Sequence, residues 1–432
     1  MSEWVESPLA ELAYIVSGGT PSRDVPAYWG GEIPWVTPTD ITACRTNYLE
    51  QTEDTISKQG LLGSSAKLLP AGAILLTSRA SIGLSKIARI PVTTNQGFKS
   101  LVPKQGIDET FLFYQTQRLR GSFERFAAGS TFLEINKKDT ERILLPHPTS
   151  AVEQRKIATI LTSIDTAIEK TEALIAKYQQ IKAGLMHDLF TRGVLPNGQL
   201  RPTREQAPEL YQETAIGWIP REWDISTLRT CLLGNPTNGI YKSADQIGAE
   251  GMLMVGQTAF TVERSVDFSL CRRGLVSPPE IRHYGLAEGN ILMTRVFATI
   301  EGVGLPTLVP QLPEPAVYES NMLRLQVNLC SLIPRLLFEW LRSPAARAHI
   351  SSRVNASNQC SVNQSAINSL PVPIPSPDEQ NWINSRIDAA DKRIANEVTI
   401  LEKLKKQRIG LMHDLLTGKV PVKVEEPEMA DG

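Results

Sequence analysis

Two stretches of this chain, GLMHDLFT at 184–191 and GLMHDLLT at 410–417, are the same phrase but for one residue. Each closes a long run, 151–190 and 377–416, that has no proline in its interior and reads as one uninterrupted helix. In the first run Ile157, Leu161, Ile164, Ile168, Ile175, Tyr178, Leu185 and Leu189 recur at steps of four and three, the a/d seam of a heptad. The second run repeats that seam 226 residues later, as Ile383, Ile387, Ala390, Ile394, Leu401, Leu404, Leu411 and Leu415. Its polar interruptions repeat as well, with Thr171 and Lys182 falling on Glu397 and Arg408. A chain with two helices in one register is constrained to be built from two halves.

The surroundings of the helices agree. Both begin with a Glu-Gln pair, Glu153-Gln154 and Glu379-Gln380, where acidic side chains suit the helix dipole. Both follow a proline-rich run, LPHPTS at 145–150 and LPVPIPSP at 370–377, and both end near a glycine, Gly193 and Gly418. Weaker echoes reach further back. Glu3-Trp4 recurs as Glu222-Trp223, PAGAILLTSRASIG at 70–83 as AEGNILMTRVFATIEG at 287–302, and Ile135-Asn136 as Val362-Asn363. The offset wanders between the helices and is constant along them, as expected for two related globular regions with different loops. Short β-branched or alternating runs such as IPWVT (33–37), AILLTS (73–78), MLMVG (252–256) and NILMTR (290–295), with helical stretches at 108–127 and 331–350, make each globular half α+β. The expected organisation is a globular domain over 1–150, a long helix over 151–193, a polar, proline-bearing surface linker over 194–221, a second globular domain over 222–376, a second long helix over 377–418 and an acidic tail over 419–432.

Composition narrows the function classes. The 432 residues are 41% hydrophobic and 21% charged, ordinary for a globular protein, and no stretch has the ~18 apolar residues of a membrane span. The N-terminus carries acidic residues where a secretory signal has basic ones, so the expectation is a soluble, cytoplasmic protein without a membrane partner. Cys44, Cys231, Cys271, Cys330 and Cys360 are scattered and odd in number, which indicates neither a disulfide framework nor a zinc site. A net charge of −1 argues mildly against a nucleic-acid partner, although charge can be segregated along the chain.

Catalytic patterns are missing. NPTN at 235–238 begins like the motif of an adenine methyltransferase, fails at its third and fourth positions, and reads as a turn. There is no phosphate-binding loop, no His-Glu-x-x-His and no Gly-x-Ser-x-Gly. His187-Asp188 and His413-Asp414 could suggest acid–base pairs, but adjacent helical residues point about 100° apart, and a structural or subunit-contact role fits better. No metal or cofactor is indicated. A duplicated, non-catalytic chain whose helices pair with each other suits a ruler. An antiparallel pairing would put the halves at opposite ends of helices of about 39 residues, roughly 58 Å or on the order of seventeen base pairs. A coiled-coil scaffold joining two protein-binding domains fits the residues equally well.

Here the motifs resemble a known family. SGGTPSRDVPAYWGGEIPWVTPTDI at 17–41 closely resembles the opening of a target recognition domain in the specificity subunit of type I restriction–modification systems. GWIPREWDISTL at 217–228 is similar to that family's approach to its second recognition domain, and LMHDLFTRGV and LMHDLLTGKV to its helix ends. The resemblance covers nearly the whole chain. It implies two tandem α+β target recognition domains, each followed by a conserved helix, the helices forming an antiparallel coiled coil. It further implies that each domain reads half of an asymmetric, interrupted site in double-stranded DNA. Two methyltransferase subunits would dock on the chain, and restriction subunits would add translocation and cleavage; those activities belong to the partners. The second half shows only a reduced echo of the first motif, GNPTNGIYKSADQIGAEGMLMVG at 234–256, as suits two domains that read different sequences.

Base edges are read by Arg, Lys, Asn, Gln, Ser and Thr, so polar residues that follow apolar strands are the candidates. In the first half these are Thr37, Thr39 and Asp40, then Ser78, Arg79 and Ser81, Asn95 and Gln96, and Ser130, Thr131, Asn136 and Lys137. In the second they are Gln257 and Thr258, Thr294 and Arg295, Ser320 and Asn321, and Asn358, Gln359, Asn363 and Gln364. Arg79 and Arg295 stand out, because both follow a Gly-x-Ile-Leu-[Leu/Met]-Thr frame give or take one residue, and a bidentate Arg on guanine is the commonest specific contact. Trp35 is expected in the core, and Trp29 stands in a loop where either a packing or a stacking role suits it.

Overall fold

The computed structural model describes residues 3–79, 81–127, 133–262, 264–355 and 359–423. The chain folds as two units, Met1–Ile175 with Asn396–Gly432, and Ala176–Ala395. Each long helix, Ala151–Thr191 and Pro377–Leu416, therefore contributes one end to each unit. The four-three pattern survives folding: every seam position in both helices, the polar ones included, is buried or half-buried. In the first unit Ile157, Leu161, Leu415 and Leu416 join Leu9, Ile74, Leu112 and Phe123 in one core. In the second, Leu189, Phe190, Ile383 and Ile387 join Trp223, Leu323, Leu337 and Leu370. The repeated GLMHDL phrase is part of this packing, with Leu411 and Met412 against the first core and Leu185 and Met186 against the second. Its histidines, His187 and His413, are exposed.

The two basic breaks in the seam, Lys182 and Arg408, find acidic partners beside it within each unit. Arg408 pairs with Asp165 and donates to Gln117 Oε1 at 2.7 Å, and Lys405 meets Glu172 at 2.7 Å, all in the first unit. In the second unit Lys182 meets Asp391 at 2.6 Å. Arg408 and Lys182 share one heptad position and Asp165 and Asp391 another, so one ion pair is made twice with the two halves exchanging roles.

The Glu-Gln pairs at the helix starts do more than favour a dipole. Gln154 donates to Pro148 O at 3.0 Å and accepts from Asp108 N at 2.9 Å; Gln380 donates to Pro375 O at 3.0 Å and accepts from Ile333 N at 3.0 Å. Trp4 Nε1 donates to Glu153 at 3.2 Å, as Trp223 Nε1 does to Glu379 at 2.9 Å. Glu379 also accepts from Val194 N at 2.7 Å and from Arg201, whose guanidinium reaches Glu222 at 2.7 Å as well. Residues 194–221, expected as a surface linker, are thus part of the second unit: Val194 and Ile219 lie in its core, and Tyr211–Thr214 pairs with Gly217–Pro220 as a hairpin. Arg201 and Glu379 are 178 positions apart, a distance over which no periodicity announces a partner.

The sheets repeat too. In the first unit Ala13–Ser17, Lys99–Pro103, Ile74–Leu76, Ser85–Ala88 and Tyr48–Leu49 form a five-stranded sheet, and Asp54–Ile56, Trp29–Val36 and Thr93–Thr94 a three-stranded one. In the second, Thr237–Asn238, Met322–Leu325, Ile291–Thr294 and Pro306–Leu308 form one sheet, and Ile247–Gly248, Arg272–Gly274, Met252–Val255 and Ala316–Tyr318 the other. An antiparallel pair closes each unit beneath its long helix, Trp4–Pro8 with Leu144–Pro148 and Asp224–Thr227 with Pro371–Ile374. Gly72 and Gly289 turn into equivalent strands with φ of 86° and 81°, where a side chain would be strained.

Replacing Glu379 with Ala would strand the buried Arg201 guanidinium and should destabilise the protein by about 3–5 kcal/mol in denaturant unfolding. Asn136 and Asn363 cap equivalent short helices, accepting from Asp139 N at 2.9 Å and Ala366 N at 2.8 Å. Asn136→Ala and Asn363→Ala should each cost about 1 kcal/mol in the same measurement.

Candidate nucleic-acid interface

In each unit the two main sheets deliver their strand ends to one rim, and the rims are built alike. Asn95 N donates to Val36 O at 3.0 Å, and Glu319 N to Val255 O at 3.1 Å. Ser78 N donates to Gly97 O at 2.7 Å, and Arg295 N to Asn321 O at 2.9 Å. Ile135 N reaches Ser78 O at 3.1 Å, and Val362 N reaches Arg295 O at 3.1 Å. Gly19 N bonds Thr94 O at 2.8 Å where Ile240 N bonds Tyr318 O at 2.9 Å. These bonds give a residue-by-residue correspondence between the halves. One rim gathers residues 37–40, 78–79, 95–97 and 135–137; the other gathers 256–258, 294–296, 319–321 and 362–364. The backbone is shared, and many of the side chains differ.

The correspondence sorts the candidates. Thr77 matches Thr294, and Ser78 matches Arg295, so Arg79 and Arg295, read as equivalent from the sequence frame, are one position apart and leave their strands in different directions. Ser78 and Thr294 are buried and present no edge to a large ligand. Ser78 instead receives Lys99, a buried amine whose Nζ lies 3.4 Å from its Oγ and 3.3 Å from Glu134. Arg79 Nε bonds Glu134 at 2.7 Å. Burial of Glu134 opposes its ionisation, but Arg79 and Lys99 outweigh it and hold the carboxyl below the usual range. Thr37, Asn136 and Asn363 are spent on helix caps, Thr37 in a capping box with Asp40. Ser81 lies in the turn after the strand, where its carbonyl accepts from Thr77 Oγ1 at 2.6 Å.

Other candidates lie at the surface. Thr39, Gln96, Lys137, Thr258, Asn321, Gln359 and Gln364 are exposed, Lys137 within 3.7 Å of Glu141. Asn95 Oδ1 accepts from Gly97 N at 2.9 Å, which shapes its turn. Gln257 Nε2 donates to Val296 O at 2.9 Å, and Arg295 Nε to Ser320 O at 3.3 Å, so both cross their rim. Ser130, Thr131 and Asn358 lie outside the described residues.

Two arginines at the rims, Arg23 and Arg272, carry no signal that the polar-after-strand rule could use. Arg23 lies in the loop after Ala13–Ser17, paired with Asp54 at 2.6 Å and stacked 3.7 Å from the Trp29 ring centre. The indole N–H of Trp29 donates to Ser22 O at 3.1 Å and that of buried Trp35 to Gly19 O at 3.0 Å, and Thr20 bonds Gln96, so the SGGTPSR loop is held against the rim. A side chain at Gly18 would collide with Asn95 O. In the second unit Arg272 bonds Glu319 through Nε at 3.1 Å and Nη2 at 2.5 Å. Burial first, with Asp267 and Glu319 nearby, pushes the neighbouring Cys271 thiol up to about 11, which keeps it protonated and un-nucleophilic. All five cysteines are unpaired, and among the described residues no group of three His, Cys, Asp or Glu side chains is placed to hold a metal ion. Nor is any described helix long and apolar enough to cross a membrane.

Comparison with known proteins places this architecture. The family described as the type I restriction modification DNA specificity domain matches residues 1–180 and 297–406. The MjaIX type I restriction enzyme specificity subunit of Methanocaldococcus jannaschii is 32% identical over 228 residues, so the chain spans about half, 51%, of that relative's length. Two solved structures share the fold across nearly the whole chain. One, described as the structural basis of complex assembly and conformational transition of the type I R-M system, superposes with TM-score 0.60 at 14% identity over 96% of this chain and 98% of that one. The other, the S subunit of a type I restriction-modification system from M. genitalium, gives TM-score 0.55 at 15% identity over 98% and 97%. With duplicated units, duplicated rims and a family match over most of its length, this chain belongs to the type I restriction–modification DNA specificity family.

Proposed function

We propose that this chain is the sequence-reading subunit of a type I restriction–modification complex, in which each rim reads one half of an asymmetric, interrupted site in double-stranded DNA. The observation that carries this reading is the pair of rims: one backbone hydrogen-bond scheme made twice, holding Thr39, Arg79, Asn95 and Gln96 in one copy against Thr258, Arg295, Glu319 and Asn321 in the other. A scheme kept while the exposed donors and acceptors change suits two readers of different base sequences. A scaffold for two protein partners has no observation in its favour.

The long helices are proposed to pair antiparallel as a coiled coil. That reading is supported by the ion pairs of Asp165 with Arg408, Glu172 with Lys405 and Lys182 with Asp391, whose partners descend along one helix as they ascend the other. Helix length then sets the number of base pairs between the half-sites. The exposed His187 and His413, on matched helix ends, are proposed as parts of two similar docking faces for two methyltransferase subunits. Methyl transfer, ATP-driven translocation and cleavage are assigned to the partner subunits, and the residues of this chain bind, orient and measure.

Mapping methylated adenines in the source genome with and without this gene should reveal one bipartite motif that vanishes on deletion; an unchanged methylation pattern would contradict the reading. Inserting one heptad after Ile175 and another after Leu401 keeps both seams in phase and adds about 10 Å. In that variant the motif should keep both half-sites and gain about three base pairs of spacer. A folded variant with the original spacer would show that the helices do not measure it.

A further inference from the structure

Strand register places two exposed arginines at matching points of the two rims. In the first unit Trp35 pairs with Asp54 on one side and Thr93 on the other; in the second Met254 pairs with Arg272 on one side and Val317 on the other. Asp54 and Arg272 therefore occupy equivalent positions, and each is half of an arginine–carboxylate pair. The pairs have opposite polarity. In the first unit the strand supplies the acid and the SGGTPSR loop supplies Arg23; in the second the strand supplies Arg272 and the rim supplies Glu319, at the position of Asn95.

Both arginines are open to solvent, with side chains 60% and 57% exposed, and both are held on one edge only. Asp54 takes Nη2 of Arg23 while Trp29 fixes the plane of its guanidinium; Glu319 takes Nε and Nη2 of Arg272. Among the described residues Nη1 of each arginine has no partner, which leaves the outer edge free for a planar, two-pronged acceptor. A phosphate is such an acceptor, but it would approach with its charge against the carboxylate that orients the arginine. The O6 and N7 edge of guanine offers two acceptors without that charge, in the geometry a guanidinium matches.

Resting on the DNA-reading function proposed above, we propose that Arg23 and Arg272 are specificity-determining residues, each hydrogen-bonding O6 and N7 of one guanine in the major groove, one guanine in each half-site. Asp54 and Glu319 are the positioning residues that hold them.

The test is enrichment of duplexes from a randomised library by the full-length chain at one fixed salt concentration, comparing wild type with Arg23→Lys, Arg272→Lys, Arg272→Gln, Glu319→Gln and Glu319→Asp. Wild type should enrich a bipartite motif with a guanine in each half. Arg272→Lys and Arg272→Gln should lose roughly 5- to 150-fold of the preference for one guanine in one half-site and leave the other half intact. Arg23→Lys should do the same in the other half. Glu319→Gln should weaken the preference at the same guanine as Arg272→Lys, and Glu319→Asp should restore most of it. Total DNA retained by the lysine variants should stay near wild type, since the charge is kept. Equal weakening on all sequences would make these arginines phosphate contacts and overturn the inference. So would an unchanged motif, a lost preference for another base, or both arginines acting on one half-site. If wild type itself enriches no motif, the DNA-reading function fails and this inference fails with it.

Discussion

Everything else in this fold depends on a hydrophobic seam of period three and a half that the chain writes twice. Each long helix gives one end to each unit's core, so the first unit completes its hydrophobic packing only with Leu415 and Leu416 from the far end of the chain, while the second is built from the contiguous segment 176–395. The basic breaks Lys182 and Arg408 meet acids beside the seam, which favours one register for the proposed helix pairing. A charged side chain that must be half-buried is tolerated where it meets an opposite charge, and one shifted by a turn would not be. That Asp165 with Arg408 and Asp391 with Lys182 are the same pair seen from the two halves ties register to the duplication itself.

Much of this was legible in the sequence, and the parts that were share a physical cause. Burial repeated at steps of three and four leaves a trace in any alphabet of apolar residues, so both helices, their common register and the echo of Ile135-Asn136 in Val362-Asn363 could be read directly. Polar residues were harder, because a Thr or Asn beside a strand serves a helix cap as readily as a base edge. Thr37, Asn136 and Asn363 turned out to cap. Arg79 and Arg295 looked equivalent in sequence because the frames differ by a single residue, and in a strand that is the difference between one face and the other. Segment 194–221 looked like a linker for lack of periodicity, yet Arg201 within it finds Glu379 and fixes the start of the second long helix.

The division of labour follows from which interactions repeat. Buried glutamates, capping asparagines, positively twisted glycines and rim backbone bonds recur in both halves and constitute the frame. Several of the side chains that protrude from that frame differ, Gln96 against Ser320 and Lys137 against Gln364, and they are where the proposed half-sites would be told apart. Frame and reader are separable because the rim is held by main-chain hydrogen bonds, which tolerate exchange of the exposed residues. The arginine–carboxylate pairs show the same economy: an equivalent place in both units, with the charges supplied from opposite sides.

Two units of one chain are proposed to read two halves of one site. The most direct measurement is the affinity of the full-length chain, at a stated salt concentration, for a duplex carrying both half-sites and for duplexes with the left half, the right half or both scrambled. Scrambling either half should lower affinity substantially, and scrambling both should bring it to the sequence-independent level, on the order of a thousandfold or more below the intact site. Equal affinity for all four duplexes would contradict the proposal.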